Sequence, residues 1–242
     1  MQMEVNMEQL EMMYEGKAKK VYRTDDEDLL IVDYKDDATA FNGLKKGTIV
    51  GKGVVNNRMS NYLCQILEEK GVPTHFVKEL DERRTLVKKV EIVPLEVIIR
   101  NKAAGSFSKR YGVEEGTPLK CSTLEFSYKN DDLGDPLMNS YMALALDLAT
   151  KEEIDTISGM AFKVNEVLKE VFAGVGIELI DFKLEFGRYH GQIILADEIS
   201  PDTCRYWDMK THDHLDKDRF RRDLGDAEGA YQEVYRRLGL DK

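Results

Sequence analysis

Cysteine is scarce. Cys64, Cys121 and Cys204 are far apart and odd in number, and no C-x-x-C spacing occurs. That gives neither a redox motif nor a metal-binding spacing, and it fits small buried or half-buried residues in a reducing compartment. The opening stretch MQMEVNMEQLEMM lacks a basic region followed by an apolar run, so no signal peptide is expected. No apolar stretch is long enough to span a bilayer, which points away from a membrane and toward the cytoplasm. No G-x-S-x-G or other nucleophile signature is present, and the four histidines fall in no catalytic pattern. Positive charge is also short: 35 Lys and Arg against 45 Asp and Glu leave a net charge of -10. Such a chain has no electrostatic reason to collect on nucleic acid, although local basic clusters can still hold small anions.

What is present is ordinary for a globular protein: 242 residues, 42% hydrophobic and 33% charged. That length suits one large domain or two lobes. EMMYEGKAKKVYRT reads as two strands joined through Gly16, DLLIVDYK as a third, and DDATAFNGLKKGTIVGKG as a loop. A helix is expected near NNRMSNYLCQILEEK, stopping at Gly71 with Pro73 beyond. THFVKEL, RTLVKKVEIV and PLEVIIRN then read as strands. With one helix among several strands and no βαβ alternation, the class is α+β. Farther on, Thr150 and Glu153 form a capping box. Ile154, Ile157, Ala161, Val164, Leu168 and Val171 step at threes and fours up to Gly174. A last helix carries Tyr231, Val234, Tyr235 and Leu238. A lobe boundary is expected near residues 90 to 95.

The segment IDFKLEFG (180 to 187) alternates apolar residues with Asp181, Lys183 and Glu185, which is the strand period. Half-exposed sheet faces are commonly charged, so this face alone proves nothing. QIILADEISPD follows after a short Gly-flanked loop, suggesting a hairpin. An odd loop puts Asp197 on the same face as Asp181, Lys183 and Glu185; an even loop puts it on the other. The odd register would gather carboxylates around a cation. YEGKAKKVY places Gly16, Lys17, Lys19 and Lys20 at a turn where backbone N–H groups can approach an anion, although it is not a Walker loop. In EVIIRNKAAGSFSKRYG a strand ends in Arg100 and small residues open a helix. Ser106 there is either an ordinary cap or part of a phosphate site. EFSYKNDDLGDP lacks the ligand order of a calcium loop and reads as a loop with Lys129 as a phosphate contact. In SPDTCRYWD, Arg205 stands among aromatics. His212 and His214, without a cysteine or third histidine nearby, read as a solvated loop. Carboxylates for a hard cation, lysines for a polyphosphate and separate arginines for a second anion together suit phosphoryl transfer.

VPLEVIIRNKAAGS and LIDFKLEFG resemble, without a mismatch, the two signature patterns of the SAICAR synthetase family. YEGKAKKVY, SYKNDDLGDP and ADEISPDTCRYWD follow in that family's order and spacing, and the likeness runs from Tyr14 to near Leu240. The resemblance implies a two-lobed fold: a β-rich ATP-binding lobe like that of kinases and ATP-grasp enzymes (1–92) and a larger mixed lobe for substrate and metal (93–242). It implies an ATP-dependent ligase of purine biosynthesis that joins carboxyaminoimidazole ribotide (CAIR) to L-aspartate and releases ADP and phosphate, with Mg2+ as cofactor and a homodimer as assembly. By matched motif, Gly16, Lys17, Ala18, Lys19 and Val21 belong to the loop over ATP, and Lys88, Val90 and Ile92 to the link against adenine. Glu185 and Asp197 resemble the magnesium ligands, and Lys129 approaches the phosphates. Arg100, Ser106 and Arg205 resemble the holders of the ribotide phosphate. Asp181 and Lys183 lie near the reacting groups, with Asp181 expected to orient the aspartate amine or accept its proton. Asn42 departs from the aspartate of many relatives and is assigned no role. A kinase is the nearest rival, but the H-R-D and D-F-G signatures are missing. A nucleotide-binding module without turnover fits the complete charged set less well.

Overall fold

The computed structural model describes residues 8–40 and 43–241; Asn42 lies outside the described residues. The first sheet opens with β1 (Gln9–Glu15) and β2 (Lys19–Thr24), joined through Gly16 as expected, and β3 (Leu29–Tyr34) pairs along β2. The stretch read as a loop instead contains a hairpin of β4 (Asp37–Ala40) and β5 (Lys45–Thr48). These four-residue strands are too short and polar to show a period of two. Helix α1 (Lys52–Glu69) starts four residues before Asn56 and is followed by Gly71 in the left-handed conformation, φ 79°. β6 (Phe76–Glu79) and β7 (Arg84–Lys88) complete the sheet in the order β1-β2-β3-β7-β6.

The run RTLVKKVEIV divides. β7 stays with the first sheet, and after Lys89 and Val90 the chain enters β8 (Glu91–Lys102), which belongs to the second. Then come α2 (Gly105–Tyr111), β9 (Pro118–Tyr128), β10 (Leu137–Met138) and α3 (Ser140–Ala145). Helix α4 (Lys151–Gly174) leads into β11 (Ile177–Tyr189), β12 (Gln192–Ala196), β13 (Cys204–Asp208), α5 (Asp218–Arg221) and α6 (Ala227–Arg237). The second sheet is antiparallel, ordered β10-β9-β8-β11-β12. One edge of β11 is shared: its first half pairs with β13 and its second with β12. The sequence reading missed β9 and β13, and the first four residues of EFSYKNDDLGDP, expected as loop, are the end of strand β9.

The pairing β8–β11 explains the core. Val93, Leu95, Val97 and Ile99 alternate along β8 and are fully buried, as are Phe182, Leu184 and Phe186 on β11. α4 covers this face with Ile154, Ile157, Ala161, Val164, Leu168 and Phe172, and its Thr150–Glu153 capping box is formed. α1 contributes Val55, Met59, Leu63 and Leu67, and α6 contributes Tyr231 and Val234, to the same core. The first sheet keeps only a small cluster of its own, Val32, Tyr34 and Val87 with Val21 and Leu30. The other face of the second sheet is left to line a cleft. Cys64 and Cys204 are buried, but Cys121 is exposed on β9, against the expectation of burial. No described helix is long and apolar enough to cross a membrane.

Candidate active site

Register explains the charged row on β11. Asp181 lies opposite Arg100 of β8, Lys183 opposite Ile98, and Glu185 opposite Glu96; on the other edge Asp181 meets Arg205 of β13. Two carboxylates facing each other across a ladder repel. Here Lys183 bridges them, its Nζ 2.6 Å from Glu185 Oε1 and 3.0 Å from Glu96 Oε1. Lys129 donates to the same Glu185 oxygen at 2.9 Å. Burial alone would depress the Lys183 ammonium, but Glu185, Asp197 and Glu96 carry it well above the usual lysine value. Lys129 moves the same way: burial opposes, and Glu185 outweighs it.

Asp197 reaches this group by a route that parity does not describe. The turn is two residues, His190 and Gly191, so the loop is even, and Glu185 pairs with Ala196. A strand continued to Asp197 would point its carboxylate to the core side. β12 ends at Ala196 instead, and Asp197 adopts the left-handed conformation, φ 59°. That turn brings the carboxylate back to the cleft, where Oδ2 is 3.8 Å from Lys183 and the other oxygen bonds Lys19. Burial would raise the Asp197 carboxyl, yet Lys19 and Lys183 hold it well below the carboxylate range. Lys19 also pairs with the buried Glu198 at 2.9 Å. Through these ion pairs four carboxylates (Glu96, Glu185, Asp197, Glu198) share three ammonium groups (Lys19, Lys129, Lys183) among the described residues. The surplus of oxygen donors and negative charge suits a hard divalent cation shared with phosphate oxygens.

A cavity of about 480 Å³ opens over this wall. Gly16, Lys17, Ala18 and Lys19 form one lip, and Val21, Leu30, Val32 and Val87 of the first sheet face Val90 of the link between sheets and Ile92 at the start of β8. Lys88 lines the same space and donates to the Thr74 carbonyl at 2.9 Å. The link can lie this close because residue 187 is glycine. A Cβ there would stand 2.5 Å from Val90 Cγ2.

A second cavity of about 370 Å³ adjoins the first, and Lys183, Glu96 and Lys17 line both. Beside the shared lysines it adds arginines, Arg100, Arg205 and Arg221, which the first cavity lacks. Arg100, 3% exposed, donates to Asp181 at 2.7 Å, to Ser106 Oγ at 3.1 Å and to Glu125 at 3.0 Å. Arg205 donates to both Asp181 oxygens at 2.9 and 3.0 Å and to Asp218 at 2.8 Å. Gly105, at φ 53°, makes room for it, since a Cβ there would lie 2.3 Å from the Arg205 guanidinium. Ser106 is not a helix cap; that position is Ala104. Asp181 thus spends both oxygens on two guanidiniums, a poor situation for a proton acceptor.

The structure therefore gathers the expected nucleotide residues around one cavity, and Asp181, Arg100, Ser106 and Arg205 around the next. Several residues at these sites were not singled out. Glu96 was legible, because it stands four residues before Arg100 on one strand and shares its face. Glu198 and Asp202 are the other two acids of QIILADEISPD. Lys217 and Arg221, in KDRFRR, gave no signal. His214 is half-buried, not solvated, and comes within 4.8 Å of Asp216 and Asp218 oxygens; His212 is exposed. Those carboxylates are engaged, Asp216 by the N–H groups of Tyr206 and Asp218, and Asp218 by Arg205 and Arg221. The group braces the arginines.

The chain is similar to proteins of one family over nearly its whole length. The SAICAR synthetase family profile matches residues 12–238. A phosphoribosylaminoimidazole-succinocarboxamide synthase of Lachnoclostridium phytofermentans is 72% identical over 235 residues, covering 97% of this chain and 100% of the relative. The crystal structure of the synthase from Ehrlichia chaffeensis matches with a TM-score of 0.94 at 46% identity, over 96% of this chain and 100% of that one. A SAICAR synthetase solved in complex with ADP matches with a TM-score of 0.92 at 50% identity, over 96% and 99%. The chain belongs to the SAICAR synthetase family and catalyses the ATP-dependent ligation of CAIR and L-aspartate in purine biosynthesis.

Proposed function

We propose that the two cavities divide this ligation into a nucleotide side and a ribotide side, with Lys183 at the seam. The observation that carries the reading is that Lys183 lines both cavities while its ammonium touches Glu185 and Glu96. On the nucleotide side Gly16, Lys17, Ala18 and Lys19 cover the ATP phosphates, and Val21, Lys88, Val90 and Ile92 enclose the adenine. The lobe of residues 1–92 supplies all of these. Glu185 and Asp197 would hold Mg2+, which when bound offsets the charge of the phosphates. On the ribotide side Arg100, Ser106 and Arg205 take the 5′-phosphate of CAIR, because guanidinium forks match phosphate oxygens.

A carboxylate is a poor electrophile. Its oxygen therefore attacks the γ-phosphorus first, the bond to ADP breaks, and an acyl phosphate forms. Lys183 steadies the CAIR carboxylate and Lys129 the transferring phosphoryl group. The amine of L-aspartate then attacks the carbonyl carbon, and phosphate leaves. Asp181 aligns Arg100 and Arg205; with both oxygens bonded to guanidiniums it is poorly placed to accept the amine proton, one of the two roles expected for it from the sequence. Family membership supports a cytoplasmic homodimer.

A metal titration tests the assignment. Glu185→Gln and Asp197→Asn should each raise the Mg2+ concentration for half-maximal rate by about 10-fold or more, with KM for CAIR within a factor of about two. Unchanged titrations would contradict the ligand role.

A further inference from the structure

Lys217 has no part in that scheme, yet it lines both cavities. It stands just before α5, anchored by its backbone N–H on the Pro201 carbonyl at 3.1 Å, and its side chain is 13% exposed. Its ammonium makes no hydrogen bond among the described residues, and the nearest carboxylate oxygen, Asp202 Oδ2, is 3.7 Å away. That carboxylate is already engaged: fully buried Lys52 of α1 donates at 2.7 Å and the Tyr231 hydroxyl of α6 at 2.5 Å. The other charges facing Lys217 are Arg221 of α5 and Glu198 of the loop after β12; Lys183 and Glu96 share the cavities with it. Burial, then Arg221 and Lys52, push Lys217 below the usual lysine value against the pull of Asp202.

The ligation needs a proton acceptor. L-Aspartate arrives as an ammonium ion, which has no lone pair to attack with. Asp181 is closed by two guanidiniums, and Glu185 and Asp197 by lysines. We propose that Lys217, at the junction of the two cavities, is the base that takes the proton from the ammonium group of L-aspartate. The proposal rests on the ligation scheme above. An N–H bond of the ammonium breaks and one forms on the neutral Lys217 amine. The freed lone pair makes the C–N bond, the C–O bond to phosphate breaks with its electron pair going to phosphate, and the second amine proton leaves with that phosphate. The competing reading makes Lys217 a fixed cation that grips an anionic substrate. Lys217→Arg separates the two, because arginine keeps the charge and cannot lose it near neutral pH.

The experiment measures kcat/KM for aspartate against pH in the wild type and Lys217→Arg, with hydroxylamine, a small amine already neutral at pH 7.5, as alternative nucleophile. For Lys217→Arg the expected fall with aspartate is about 100-fold at pH 7.5. The acidic limb should also move to higher pH, where the free amine of aspartate alone appears. KM for ATP and CAIR should stay within about 3-fold, and hydroxylamine-dependent ADP release should persist. Unaltered aspartate kinetics would overturn the proposal in favour of a fixed cation. Loss of hydroxylamine turnover in the variant alone would overturn it too, placing Lys217 before the amine step. If the wild type also fails with hydroxylamine, the acyl phosphate is what fails; the displacement of the acidic limb then decides on Lys217.

Discussion

The two cavities share Lys17, Lys183 and Lys217, and only the second adds arginines. The proposed nucleotide side uses lysines, compact point charges whose carboxylate partners can exchange an ammonium for another cation. Lys19, Lys129 and Lys183 share Glu96, Glu185, Asp197 and Glu198 in this way. The proposed ribotide side adds arginines, each held by two carboxylates with Asp181 in common: Arg100 by Asp181 and Glu125, Arg205 by Asp181 and Asp218. In the proposed scheme the side that admits a metal and a moving phosphoryl group is built to trade partners. A side that only has to hold a phosphate still is built in advance.

The strongest challenge to this contrast is Asp181→Asn. It takes charge from between two guanidiniums, one of them 3% exposed, so unfolding free energy in urea should drop by about 3 kcal/mol. KM for CAIR should rise about 100-fold while KM for ATP moves less than about 3-fold. Equal effects on both substrates would erase the distinction between the sides. A reciprocal exchange sharpens it. Arg205→Lys, which keeps the charge and loses the fork, should raise KM for CAIR about 10-fold, whereas Lys129→Arg should change kcat less than about 3-fold. Steady-state kinetics of the two variants would show whether planar geometry matters on one side only.

The smallest effect is expected outside both cavities. Asp36 accepts two hydrogen bonds from Arg83, at 2.9 and 3.0 Å, and the N–H groups of Gly51 and Gly53 at the start of α1. Burial opposes, but Arg83 and these N–H groups bring the Asp36 carboxyl down to about 2. Because the folded value is depressed, the stabilisation is present above about pH 4, the unfolded value, and fades as pH falls toward 2. Asp36→Asn should cost about 1 kcal/mol at pH 7, flatten the fall of Tm between pH 4 and 2, and leave both KM values unchanged. A shift in either KM would mean that charge pairs anywhere in the molecule tune the cavities.

Much of the site could be read in advance where a strand period carried it. Asp181, Lys183 and Glu185 declared one face of β11, and Arg100 the end of another strand. Reading failed where chemistry and period part company. Asp197 lies beyond the last paired residue of β12, so counting loop residues could not locate its carboxylate. β4 and β5 were too short to show alternation. Lys217 was one basic residue in a basic run, and only its position between the cavities distinguishes it from Arg219 or Arg222.

Local periodicity and end signals lie in the sequence itself. Side chains two apart on a strand must share a face, and Thr150 with Glu153 satisfies the first free N–H groups of α4. Which strand lies opposite which is a different kind of fact. The bond from Arg100 to Asp181 joins residues 81 apart, and Lys129 reaches Glu185 across 56. Those meetings depend on how α1, α4 and α6 bury one face of the second sheet, because hydrophobic burial selects the register and leaves the charged face to meet across the cleft.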